Sequence, residues 1–440
     1  MPQPPGGSWE RSHPSESLAA DRETHPIVPS TEVNLPMRRR TAARALALPL
    51  ALAAALLTGL QPAGADTAVG ASGSHGGRLY TPKSNPEAYE QVAGLVRGGR
   101  YAEAAGILAM VRTPQAVWYG DQAPAEVESQ ARAVVRDAAR KGAVPVLALY
   151  NVPGRDCSNY SGGGASTTAE YQAWVDAVAR GVGGHEAMIV LEPDSLALLP
   201  ADCGQDDAQG TRTTARYSEV RYAVETLGGL ARAKVYLDTG HPGWHSVGSI
   251  VPRLIRAGVG DATGFFTNVS NYRTEEDSHW YGTLISACVG YVEDGGAAAD
   301  CPDQYRPRAE AEAWIAEHVT TPESRRKHFV TDTSRNGLGP WTAPAGKYTD
   351  AQDWCNPPGR GLGDRPTTAT GDPLYDAKLW IKIPGESDGL CLRGTAGPED
   401  PERGTVDPAA GHWFPEQALE LVRLAQPPLP ARGPFARARG

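Results

Sequence analysis

The chain has 440 residues, a net charge of -9 and an apolar share of 40%. Nucleic acid is argued against as a partner: no long basic patch exists outside the end, where FARARG follows PPLPARGP and reads as a disordered tail. The length admits two average domains, but the strand spacing fits one α/β barrel of about 300 residues better.

Residues 1–36 are rich in Pro, Ser and charge and carry no foldable pattern. Residues 37–65 run from MRRR through ALALPLALAAALLTGL to PAGA: a charged start, an apolar run too short and Ala-rich for a membrane span, and a small-residue cleavage site. That pattern predicts a signal peptide, a secreted protein starting near Asp66, and no membrane attachment after cleavage. Met37 is then the true start, or residues 1–36 are a long n-region. Residues 66–77 read as a linker, 78–425 as the single catalytic domain and 426–440 as the tail.

Six stretches read as apolar strands that end on a carboxylate or an amide: VPVLALYNVPGRDC (144–157), AMIVLEPDS (187–195), KVYLDTGH (234–241), GFFTNVSNY (264–272), HFVTDTSRNG (328–337) and LWIKIPGESDG (379–389). Helix-like segments such as AEYQAWVDAVAR and ARYSEVRYAVETLGGLARA lie between them, which predicts parallel βαβ units. In a parallel barrel every carboxyl end opens on one face, so Asp156, Asp194, Asp238, Asn268, Asp332, Glu386 and Asp388 converge there. Clustered carboxylates suit acid and base chemistry on a neutral, polyhydroxylated substrate.

Tryptophan outnumbers phenylalanine ten to five. About half of the indoles are assigned to the core, Trp174, Trp314 and Trp380 among them, and the rest are free to stack on something flat. Export makes the six cysteines disulfide candidates, and nearest-neighbour pairing is the simplest arrangement: Cys157 with Cys203, Cys288 with Cys301, Cys355 with Cys391. Each closure contributes roughly 3 to 4 kcal/mol. No C-x-x-C spacing supports zinc, and Pro242 and Gly243 break any helix that would put His241 and His245 on one face. A serine-hydrolase elbow is absent, and SGGGAS (161–166) lacks a phosphate loop's lysine and reads as a mobile lid. No metal or cofactor is expected.

YNVPGRDCSNYSGGGA, VLEPDSLA, YLDTGHPGWH, NVSNY, DTSRNG, DWCNPPGRGLG and LWIKIPGESDG together, in this order, resemble glycoside hydrolase family 6 over about residues 78 to 425. The resemblance implies a secreted, inverting cellulase on a distorted parallel α/β barrel with fewer than eight strands. It implies Asp194 as general acid and Asp156 as the carboxylate that raises the acid's pKa and takes the water's proton through a second water, with Asp388 as rival base. It pairs Ser161 with Asp156 around the attacking water and gives Tyr150 the task of crowding the sugar ring. Asp238 is matched to an electrostatic and holding role, Arg155 and Asn268 to support of the carboxylates and lining of the site. Lys382 and Glu386 are matched to sugar hydroxyls on the non-reducing side, with Trp118 and Trp354 as stacking platforms there. Trp244 matches the platform just past the scissile bond, and His241 is expected to hydrogen-bond sugar or a carboxylate.

The expected partner is a β-1,4-glucan chain, bound by a monomer. Endoglucanase action is the first reading; cellobiohydrolase action and a non-catalytic carbohydrate-binding protein are the alternatives. Loops at 288–312 and 390–411 are extended relative to the compact endoglucanase pattern. Neither end leaves room for a separate cellulose-binding domain.

Overall fold

The computed structural model describes residues 77–83 and 85–429. The expected signal peptide, the extension before it, residues 66–76 of the linker and the tail from 430 onward lie outside the described residues. Residues 426–429, expected in the tail, are held down: Gln426 N–H donates to Leu362 O, and Leu429 packs on an apolar cluster.

Two short strands, β1 (Arg78–Leu79) and β3 (Ala143–Val144), pair with each other. The main sheet has seven parallel strands: β2 (Val117–Tyr119), β4 (Val146–Leu149), β5 (Ala187–Leu191), β6 (Ala233–Asp238), β7 (Gly264–Thr267), β8 (His328–Asp332) and β9 (Tyr375–Leu379), adjacent in that order. Five of the six expected strands stand where the sequence puts them. The sixth is displaced, because β9 ends at Leu379 where LWIKIP was expected to begin. β2 was not foreseen as a strand; its three residues carry too little pattern.

The strands are apolar throughout because both faces are buried, as in parallel sheets generally. Leu147, Leu149, Ile189 and Leu191 point outward into the layer of helices, whereas Val146, Ala148, Met188 and Val190 fill the barrel's inside. The helices Thr168–Val182 and Thr211–Gly228 lie where the sequence predicts them, and Trp174 is buried in the outer layer. Trp380 is buried as expected, among the terminal helices Pro86–Arg97, Tyr101–Val111 and Pro415–Arg423. Trp314 packs only partly, against Tyr291 and His318. All three expected disulfides form.

The sheet curls without closing. β2 and β9 share no ladder; Ala116 N–H donates to Trp380 O, and the Trp118 indole donates to Ile381 O at 2.8 Å. The loops that follow the strands gather above this seam and leave an open cleft.

Candidate active site

The cleft has a volume of about 320 Å³, and ten of the fourteen residues expected to act on substrate line it: Trp118, Tyr150, Arg155, Asp156, Ser161, Asp194, Trp354, Lys382, Glu386 and Asp388. Tyr160 and Ser270 line it as well and were not foreseen. Three of its residues leave their strands in left-handed backbone, Asp156 (φ 54), Asp194 (φ 66) and Ser270 (φ 57), as does the buried Glu192 (φ 51) behind it. Such conformations are unfavourable for residues with a side chain and cluster where the surroundings hold a group in a working position.

Asp194 follows β5, and its pKa is pushed well above the ordinary carboxylate value, first by burial and then by the charges of Asp238 and Asp156. The carboxyl therefore keeps its proton at pH values where an exposed Asp would have lost it. No helix follows Asp194 directly; residues 193–197 form turns. Asp156 is raised less, because burial is opposed by the Ser161 N–H, which donates to Oδ2 at 2.8 Å, and by Arg155. Arg155 also donates to Tyr150 O and stacks over the Tyr150 ring. Asp238 is buried below the cleft, accepting from the N–H groups of Leu196, Ala197 and Gly240. It braces the turn after Asp194, as its expected holding role requires, and does not itself line the cleft, so its place among the sugar-contacting residues is not kept.

Glu192 performs a similar bracing task that sequence reasoning missed, although it lies inside LEPDS. Its Oε2 accepts from Asn151 N–H at 2.8 Å and Val152 N–H at 2.9 Å, tying the end of β5 to the end of β4. Burial pushes its pKa up to about 7. Behind it, Arg216 donates to Ser195 O and Pro153 O, so the loops carrying Asp194 and Asp156 hang from one guanidinium. The Cys157–Cys203 disulfide joins the same two loops.

On the far wall Asp388 is committed to other partners. Arg335 Nη1 donates to both of its oxygens at 2.7 and 2.9 Å, Lys382 Nζ lies 3.2 Å away, and Asn356 N–H donates to it. Although it is buried, Arg335 and Lys382 hold its pKa below the ordinary value. A carboxylate so fully neutralised is a weak base, which is the physical argument against its expected role as rival base. Glu386, in contrast, is raised to about 7 by burial. Asn268 is corrected too: it is fully buried, and its amide donates to Asp332 O and Arg273 O, so it joins loops behind the cleft wall. Asp332 is likewise turned to scaffolding, accepting from the N–H groups of Ser270, Ser334, Ile381 and Lys382.

Beyond Asp194, the loop after β6 carries Trp244, 39% exposed, outside the cleft's narrow part. His241 Nδ1 accepts from Gly243 N–H, and burial with Arg273 nearby lowers its pKa to about 3, so it is neutral. His245 Nε2 donates to Ala197 O at 2.7 Å.

The glycine segment is pinned, unlike the mobile lid expected. Ala165 N–H donates to Asn151 O, Arg155 Nε donates to Ser161 O, and a side chain at Gly164 (φ 90) would sit 2.1 Å from Val152 O. Tyr160 links it to the opposite wall: its hydroxyl donates to Gln352 Oε1 and accepts from Leu392 N–H, while its ring fills the space a side chain at Gly389 would need. The loop 390–411 reaches the cleft through Ala410 and Gly411.

A larger cavity of about 670 Å³ opens at the other end of the strands. Its charges are paired with one another, Lys234 and His328 with Asp376, and none of the expected site residues lines it.

Comparison with known proteins agrees with this geometry. The family model for glycosyl hydrolases family 6 matches residues 74–425. Endoglucanase A of Cellulomonas fimi is 39% identical over 318 residues, which cover 71% of this chain and 55% of that protein, so the chain spans about half of this relative. A probable 1,4-β-D-glucan cellobiohydrolase C of Aspergillus fumigatus is 31% identical, over 72% of this chain and 70% of the relative. The structure of the endoglucanase Cel6 from Mycobacterium tuberculosis, solved with methyl-cellobiosyl-4-deoxy-4-thio-β-D-cellobioside, is 34% identical with a TM-score of 0.60 and covers 80% of this chain and 98% of that one. The chain belongs to glycosyl hydrolases family 6.

Proposed function

We propose that this protein is a secreted, monomeric endoglucanase that hydrolyses β-1,4 bonds of cellulose with inversion, its catalytic domain spanning about residues 78–425 after removal of a signal peptide. The observation that carries the reading is Asp194, a half-buried carboxyl in a cleft lined by indoles, whose pKa is held well above the ordinary value first by loss of solvent and then by the charges of Asp238 and Asp156. Asp194 protonates the departing glycosidic oxygen. Asp156, with Ser161 beside it, accepts the proton of the attacking water, a role favoured by its single N–H donor compared with the neutralised Asp388. Trp118 and Trp354 stack sugars on the non-reducing side, where Lys382 and Glu386 meet hydroxyls, Tyr150 crowds the ring at the scissile bond, and Trp244 and His241 receive the leaving chain.

A soluble cellulose derivative tests the mode of attack. A steep fall in viscosity at low release of reducing ends supports endo action. A slow fall with cellobiose as sole product would favour the cellobiohydrolase reading, for which the Tyr160 link to the 390–411 loop speaks. Absence of hydrolysis would leave carbohydrate binding alone.

A further inference from the structure

The connection at 294–307, the part of the expected 288–312 loop outside the α-helices, joins the helices Glu275–Glu293 and Arg308–His318 and lies next to the turn that carries Trp244. Cys288–Cys301 closes its base, and the Asp303 carboxylate accepts from the N–H groups of Tyr305 and Arg306, fixing a tight turn. Two side chains of that turn bind the HPGWH backbone. Gln304 Nε2 donates to Pro242 O at 2.6 Å and His245 O at 3.0 Å, and the Tyr305 hydroxyl donates to Pro242 O at 2.8 Å.

Tyr305 is nevertheless 74% exposed, the highest value among the large hydrophobic side chains of the described residues. Its hydroxyl is satisfied and its position is set at two points, the backbone N–H on Asp303 and the hydroxyl on Pro242 O, yet most of its surface meets solvent. A mobile surface tyrosine needs no explanation; a ring fixed at its polar end with most of its surface free is a preformed platform, because little side-chain entropy remains to be lost when a flat partner arrives. The adjoining HPGWH turn presents an exposed ring of its own, Trp244.

We propose that Tyr305 extends the sugar-binding surface past Trp244, as a further stacking position for the leaving portion of a β-1,4-glucan chain. The proposal rests on the glucanase reading above. The ligand class follows from the chemistry: the C–H face of a pyranose suits an aromatic face, and a glucan chain already lying on Trp244 continues over the same edge of the molecule. The 288–312 insertion thereby acquires a purpose, which is to lengthen the part of the cleft that holds the leaving chain.

The test compares kcat/KM on cellohexaose and cellotetraose for the secreted protein, for Tyr305→Ala and for Tyr305→Phe. In Tyr305→Ala the hexaose-to-tetraose ratio is expected to fall about three- to tenfold, the size of one aromatic contact. Tyr305→Phe keeps the ring but loses its Pro242 anchor, and its ratio is expected to fall between those of wild type and Tyr305→Ala. An unchanged ratio in the alanine variant would overturn the proposal alone. A phenylalanine ratio as low as that of alanine would assign the effect to the Pro242 anchor and overturn stacking. Wild-type protein inert on both sugars would overturn the glucanase reading and this inference with it.

Discussion

Loss of solvent raises the pKa of both Asp238 and Asp194, but backbone N–H donors oppose the rise at Asp238, so Asp238 ionises first and its charge keeps the proton on Asp194. Three backbone N–H groups pin the Asp238 carboxyl, and its charge is the strongest of the neighbouring charges that keep the proton on Asp194. In the proposed mechanism Asp194 must be protonated, so activity is expected to fall as pH rises through its pKa, and Asp156 must be ionised, so activity is expected to fall as pH drops through its own raised value.

Asp238→Asn therefore moves the alkaline limb of the kcat/KM profile to lower pH, since one cause of Asp194's high pKa is gone. A pH–rate profile checks this. An unmoved or alkaline-shifted limb would contradict the charge argument.

Glu192 sets a pH dependence of stability. Its folded pKa of about 7 lies above the ordinary 4.5, so the folded state binds its proton more tightly and loses stability as pH rises between those values. Fully expressed, that loss is about 3 kcal/mol. Glu192→Gln keeps an oxygen for Asn151 and Val152 and carries no charge. Its melting temperature is expected to match wild type near pH 4.5 and exceed it near pH 8; a variant less stable at pH 8 would contradict the reading.

Arg335 and Asp388 are both buried, with relative side-chain exposures of 0% and 5%. Asp388→Ala leaves Arg335 and Lys382 without their anion, and breaking such a pair costs about 3 to 5 kcal/mol. Chemical denaturation is expected to show that loss. If Asp388→Ala retains wild-type stability but loses turnover, the base role passes to Asp388.

The Cys355–Cys391 bridge closes 36 residues and ties Trp354's loop to the loop after Asp388. Replacing both cysteines by alanine is expected to cost about 3 to 4 kcal/mol and to weaken binding of sugars at Trp354. Calorimetry and oligosaccharide KM values check the two effects separately.

The barrel was legible because strands buried on both faces write continuous apolar runs, as AMIVL does. β9 was misplaced because YDAKL alternates: Asp376 and Lys378 are only partly buried, Asp376 meeting Lys234 and His328, and Lys378 meeting Asp364. At the site, the resemblance named the carboxylates, but not which of them face the cleft. Asp238, Asn268 and Asp332 stand at strand ends like Asp194 and differ from it only in the backbone groups they bind across the sheet, a long-range property. Glu192 and Arg335 sat inside recognised blocks; their roles depend on partners 40 to 53 residues away. Tyr160 escaped notice for the same reason, since its partners lie 192 and 232 residues further along.

The most direct test of the central claim, that Asp194 donates the proton to the leaving oxygen, is Asp194→Ala assayed on cellotetraose and on a dinitrophenyl β-cellobioside, whose leaving group departs without a proton. The account predicts a loss of at least about a hundredfold on cellotetraose with much of the rate kept on the activated substrate. Near-normal turnover of cellotetraose, or equal losses on both substrates, would contradict it.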